Sequence, residues 1–141
     1  MNVKRFALAA LAVFVFLQAF GFLWHGLLFG HMYEATQSVW RPTTDMNTYF
    51  PVAIAGRFVF AVVVAFIFTR HYESRGLGEG LRFGTYIGLL TGVVSFGFYP
   101  YLPIPLTLAI MWFAGNVIEG IGMGLFLALV YRAETSRPAG A

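Results

Sequence analysis

The chain has 141 residues, 59% of them hydrophobic, 18% aromatic and only 11% charged, whereas a soluble domain is ~25% charged. Too little polar surface is left to cover it in water. That excludes a disordered protein, a soluble nucleic-acid binder and a disulfide scaffold, and the lack of cysteine also excludes thiolate-bound metals and iron–sulfur clusters. What remains is an integral membrane protein, expected to be all-α and polytopic: a four-transmembrane-helix bundle over residues 1–131 with a polar tail at 132–141.

A membrane crossing takes ~20 apolar residues. The first predicted span covers about residues 6–29, with Gln18 and His25 as its strongly polar residues. Lys4 and Arg5 before it resemble the start of a signal peptide, but the apolar run is too long and lacks a small-residue cleavage site, so a retained span is expected. Residues 31–49 form the longest predicted connection, either a continuation of the first helix or a segment lying along the interface. The second span covers about 50–69 and contains Arg57; the third covers about 83–98. Pro100, Pro103 and Pro105 break the chain before the fourth, about 104–131, which contains Glu119.

Lys4, Arg5, Arg70, Arg75, Arg82, Arg132 and Arg137 all fall on one side of a four-span topology, and Arg41 alone on the other. The bias places both N- and C-termini in the cytoplasm and argues against dual topology. The expected location is a bacterial inner membrane, with the lipid bilayer as the first partner.

Small residues let helix backbones approach in lipid. Gly84, Gly88 and Gly92 share one face of the third span, and Gly120 and Gly124 repeat the spacing in the fourth. They read as packing seams; an oligomer interface on the third span is the alternative. Trp24, Trp40, Tyr49, Tyr99 and Tyr101 near one set of span ends read as an interfacial aromatic belt.

Ionisable residues inside a span are functional candidates by default. Counted from residue 50, Arg57 lies ~10 Å below the outer surface and is expected to snorkel outward. Glu119 lies ~16 Å from either end of its span, too deep to snorkel. It is either a neutral carboxyl group hydrogen-bonded to a neighbouring helix or the centre of a proton- or cation-coupled site. Gln18, Asn116, Thr91 and Ser95 lie near its depth. A polar track is therefore expected from Glu119 past Asn116 toward His25 and Arg57, although the ~10 Å difference in depth argues against a direct Arg57–Glu119 bond.

The spacing of His25, His31 and Glu34 fits neither haem ligation nor a zinc motif, and Gly76, Gly78 and Gly80 have no preceding strand to make a phosphate loop. No catalytic residue, metal-ligand set or cofactor is assigned. The leading expectation is a non-enzymatic structural, assembly or accessory component, associating as a homodimer or within a larger membrane complex and not with nucleic acid. A small proton- or cation-coupled transporter centred on Glu119 is the second expectation. A redox or metal-binding subunit is a distant third.

The run Leu23-Trp24-His25-Gly26-Leu27-Leu28-Phe29-Gly30 resembles the corresponding segment of a family of small four-span bacterial membrane proteins of unknown function. That family tends to place an aromatic where His25 stands and a proline where Leu27 stands. The resemblance implies a four-span fold and no activity.

Overall fold

The computed structural model describes residues 2–131; the predicted polar tail, with Arg132 and Arg137, lies outside the described residues. Five helices and no strand are present among those residues. Helix α1 runs Val3–Gly21 and continues as a π-helical segment, Phe22–Leu28. A short α2, Gly30–Glu34, and a single 3-10 turn, Gln37–Val39, lead to α3, Thr43–Arg70. Helix α4 spans Leu77–Phe96 and α5 spans Leu106–Val130. Four stretches are long and apolar enough to cross a membrane, Val3–Leu28, Thr44–Arg70, Leu77–Tyr101 and Leu106–Val130, so the protein is a multi-pass helical membrane protein.

Local chemistry sets the helix ends. The Asn2 side chain accepts the Arg5 N–H at 3.1 Å and caps α1. Pro42 immediately precedes α3, so this helix starts well before residue 50. The mostly polar residues 44–49 extend it because none of them breaks a helix, and Pro51 is carried within it. The turn into α4 passes through Ser74 and Gly76, both with positive φ (62° and 68°). The buried carboxylate of Glu79 clamps that turn, accepting the N–H groups of Glu73 at 2.7 Å and Arg75 at 2.9 Å. Outside the clamp Glu73 pairs with Arg75 at 2.9 Å and Arg82 at 3.1 Å.

Helices α4 and α5 form the tightest pair, because glycines face backbone across their seam. A methyl group added at Gly80 would meet the Gly124 carbonyl, and one at Gly84 the Gly120 carbonyl. At Gly88 it would lie 2.8 Å from the Asn116 carbonyl oxygen and the Val117 Cα, and at Gly92 3.1 Å from the Phe113 ring. The glycine ridge of α4 is therefore filled by α5 of the same chain and is not a free surface. Gly26 and Gly30, by contrast, face no neighbouring helix.

The bundle has two unlike halves. At the end carrying Asn2 and Tyr131, α1, α3 and α5 pack Ala9, Val13, Leu17, Ala61, Ala65, Phe68, Met123 and Leu127 into a closed apolar core. The Asn2 N–H donates to the Tyr131 hydroxyl at 3.2 Å and ties the start of α1 to the residue that follows α5. At the opposite end Leu108, Ala109 and Met111 of α5 are covered by an aromatic cap that includes Trp24, Phe29, Tyr33, Trp40 and Trp112. Trp24 and Trp40, expected at the membrane interface, thus pack within the protein. Helix α3 takes no part in the second cluster: residues 44–53 are all exposed, and its buried positions begin at Ala61. It leans on α1 along one half only and leaves the other half open.

Candidate functional site

The open half contains the polar residues. The π-helical segment widens α1 from Phe22 to Leu28 and carries His25. Such segments add a residue to the helical turn and re-aim the side chains on it, and they recur at functional sites. The His25 ring turns toward the bundle, where Nδ1 lies 2.6 Å from the Tyr33 hydroxyl. Trp112 Nε1 donates to the same hydroxyl oxygen at 2.7 Å. With that oxygen accepting from Trp112, its proton can be donated to Nδ1, an arrangement that puts the imidazole proton on Nε2. Tyr33 therefore joins α2 to α1 and α5, and Trp40 packs against both Tyr33 and Trp112 with ring centroids at 5.7 and 6.0 Å.

Arg57 stands at the midpoint of the Thr44–Arg70 span. It does not snorkel outward. Its guanidinium crosses to α1, where Nη1 donates to the Leu17 carbonyl at 2.5 Å. The crossing is possible because Gly21 has no side chain; a methyl group there would occupy the place of the guanidinium. A carbonyl oxygen has two lone pairs, so Leu17 can accept this bond in addition to a helical one.

A cavity of about 480 Å³ between these elements is lined by His25, Tyr33, Arg57, Ser95, Asn116 and Glu119, with Phe20 and Trp112 as aromatic walls. This lies within the usual range for small-molecule sites. Asn116 is held in place, donating to Ser95 Oγ at 3.1 Å and to the Trp112 carbonyl at 2.8 Å. The Glu119 carboxyl group makes no hydrogen bond and no ion pair among the described residues, although Arg57 lines the same cavity. Of the two alternatives for Glu119, the bond to a neighbouring helix is absent; the carboxyl group lines the cavity.

A second cavity of about 330 Å³ lies between α1 and α3 and shares His25 and Arg57 with the first. Its remaining walls are mostly apolar, Phe22, Phe50, Ala53 and Ile54 among them, and Gln18 lines it as well. The buried Gln18 Oε1 has no hydrogen-bond partner.

Thus Arg57, His25, Asn116 and Glu119 share one cavity, and Gln18 lines its neighbour. The polar layer is incomplete in one respect: Thr91 bonds back to the Ile87 carbonyl of its own helix at 2.9 Å. His31 is exposed, and among the described residues no three His, Cys, Asp or Glu side chains group to hold a metal ion. Tyr33 is the contributor that the sequence did not single out for the site, since it lies in the connection after the first span; Trp112 shares the helix face of Asn116 and Glu119.

Burial raises the Tyr33 phenol above its ordinary value of 10.0, and the hydrogen bond from Trp112 offsets part of the rise. A raised folded-state value makes the neutral phenol's contribution to stability fully present below the unfolded value and lost as pH rises through the folded one. The absorbance titration of wild type minus Tyr33→Phe is therefore expected to show one phenol ionising above the ordinary range. Ionisation at or below that range would contradict the closed aromatic cap.

Comparison with family models, curated proteins and solved structures finds no match to this chain.

Proposed function

We propose that the chain is a small proton- or cation-coupled carrier whose working site is the Arg57–Glu119 cavity, with Glu119 holding a proton or a cationic group in turn. One observation carries this reading: a carboxyl group midway along a membrane span faces a cavity with no partner of its own. A purely structural carboxyl group would be hydrogen-bonded to a neighbouring helix, because an unpaired charge in a medium of low dielectric is costly. Arg57 supplies the compensating positive charge, and the His25–Tyr33–Trp112 hydrogen bonds extend the polar path toward the aromatic cap.

The placement supported by charge is a bacterial inner membrane with both termini cytoplasmic. Lys4, Arg5, Arg70, Arg75 and Arg82 lie at one end of the bundle, and the resemblance around Trp24 to Gly30 points to small bacterial membrane proteins. The cavity then faces the outer half of the membrane, and the apolar core closes the cytoplasmic half.

The test is proton movement into proteoliposomes under an imposed potential, followed with an internal pH dye. Glu119→Gln is expected to slow it by about a hundredfold or more, the usual size of a lost proton-transfer group. Equal rates in wild type and variant would overturn the coupled reading.

An accessory role is favoured by a separate observation. The open half of α3 exposes residues 44–53 on every side and offers a helix face to a second copy or to a larger membrane complex. Mild purification from the native membrane followed by native mass spectrometry decides this: a stoichiometric partner lost on Val52→Arg supports it, and a lone monomer rejects it.

A further inference from the structure

We propose that the ligand of this site is a zwitterionic phospholipid with a primary ammonium head, entering sideways from the bilayer between α1 and α3. The proposal rests on the reading of the Arg57–Glu119 cavity as a ligand site, and it adds the class of ligand and the route of entry.

Three observations lead to it. First, Arg57 and Glu119 line one cavity without forming an ion pair within 4.0 Å. Two opposite charges held in a membrane span without direct contact call for a third group that satisfies both. Arg57 uses one N–H on the Leu17 carbonyl and has further donors for a phosphate. Glu119, with no hydrogen bond of its own, is an acceptor for an ammonium group. A head bearing both a phosphate and an ammonium matches the pair in sign and number.

Second, the neighbouring cavity has the complementary chemistry. It shares His25 and Arg57 with the polar one, and Phe22, Phe50, Ala53 and Ile54 make most of its remaining wall. A single amphiphile can place its head in one and the start of an acyl chain in the other. Third, the apolar cavity lies where α3 has left the bundle. Residues 44–53 are all exposed, so the cleft opens to lipid and not only to water.

The two charges also suit a carrier. When the ammonium leaves Glu119, a proton from the cavity can replace it on the carboxylate, so one positive charge exchanges for another and no bond to carbon forms or breaks.

The experiment uses the full chain in mild detergent and native mass spectrometry. It compares short-chain phosphatidylethanolamine, short-chain phosphatidylglycerol and water-soluble glycerophosphoethanolamine. Phosphatidylethanolamine is expected to be retained about tenfold better than phosphatidylglycerol, and the soluble head to compete weakly. Ala53→Trp, a substitution at an exposed position in the apolar cavity, is expected to cut retention about tenfold with the unfolding temperature unchanged. Glu119→Gln is expected to abolish the preference for the ethanolamine head. Competition by the soluble head as strong as that of the lipid would overturn the lateral route while leaving a polar-ligand site standing. Equal retention of both lipids, or retention unaffected by both substitutions, would mean annular lipid and overturn the proposal. The proton-movement assay on Glu119→Gln reads the underlying site independently of any lipid.

Discussion

Replacing Gly124 by alanine is expected to cost about 3 kcal/mol of stability, the upper end for an added methyl group in a packed interior. The new methyl group would strike the carbonyl oxygen of Gly80 and the backbone of Gly84. Neither is the tip of a flexible side chain, so α4 as a whole must move away from α5. Moving it opens the contacts at Gly84–Gly120 and at Gly88 as well. Lipid tails are as apolar as side chains, so no hydrophobic gain holds two membrane helices together; their association rests on close van der Waals contact and weak backbone interactions. Gly56 is the matched control. Nothing lies within 4 Å of a methyl group added there. Gly56→Ala is expected to be neutral or stabilising by up to about 1 kcal/mol, since it removes a helix-interior glycine. Unfolding in mixed micelles measures both. Equal tolerance at the two positions would show that the α4–α5 seam is looser than the backbone contact described above.

The period of that seam was legible in the sequence, because four-residue glycine spacing marks one helix face whatever lies opposite. The partner was not: spacing alone does not tell a neighbouring helix from a second copy. Insertion was legible for the same kind of reason, since hydropathy needs no tertiary information. The course of α3 shows where such reading stops. Residues 44–49 are mostly polar, and a hydropathy window ends before them, but they follow Pro42 and contain no breaker, so the helix begins there. This shift moves Arg57 from near a surface to the middle of its span, level along its helix with Glu119 along α5. The depth difference counted from the sequence vanishes for that reason, yet the two still line one cavity without the direct bond it argued against. The π-helical segment had no visible signal, as its composition is that of any apolar span. Tyr33 and Trp112, 79 residues apart, meet only through the tertiary fold.

Arg57→Leu is expected to leave the fold standing while slowing Glu119-dependent proton movement about tenfold or more. The reason is a near balance of opposing terms. An arginine at the centre of a span costs about 3 kcal/mol on insertion and a leucine returns about 0.5. What the folded state loses is the bond to the Leu17 carbonyl, worth about 1.5–3 kcal/mol for a charged donor. Glu119 makes no bond to Arg57 that would be broken, and without the arginine's charge it can take up a proton in place of remaining ionised. Conservation of stability with loss of function would therefore place the guanidinium in the working site and not in the scaffold. Gly21→Ala sharpens the point without removing the charge. Its methyl group would take the space over α1 that the guanidinium occupies, and the flexible arginine, not the backbone, would yield. The protein should fold, with Arg57 lifted from Leu17 into the shared wall of the two cavities. If the position of the guanidinium matters, Gly21→Ala should show the same defect as Arg57→Leu. Wild-type rates in Gly21→Ala together with a defect in Arg57→Leu would mean that the charge at mid-span suffices, wherever its tip lies.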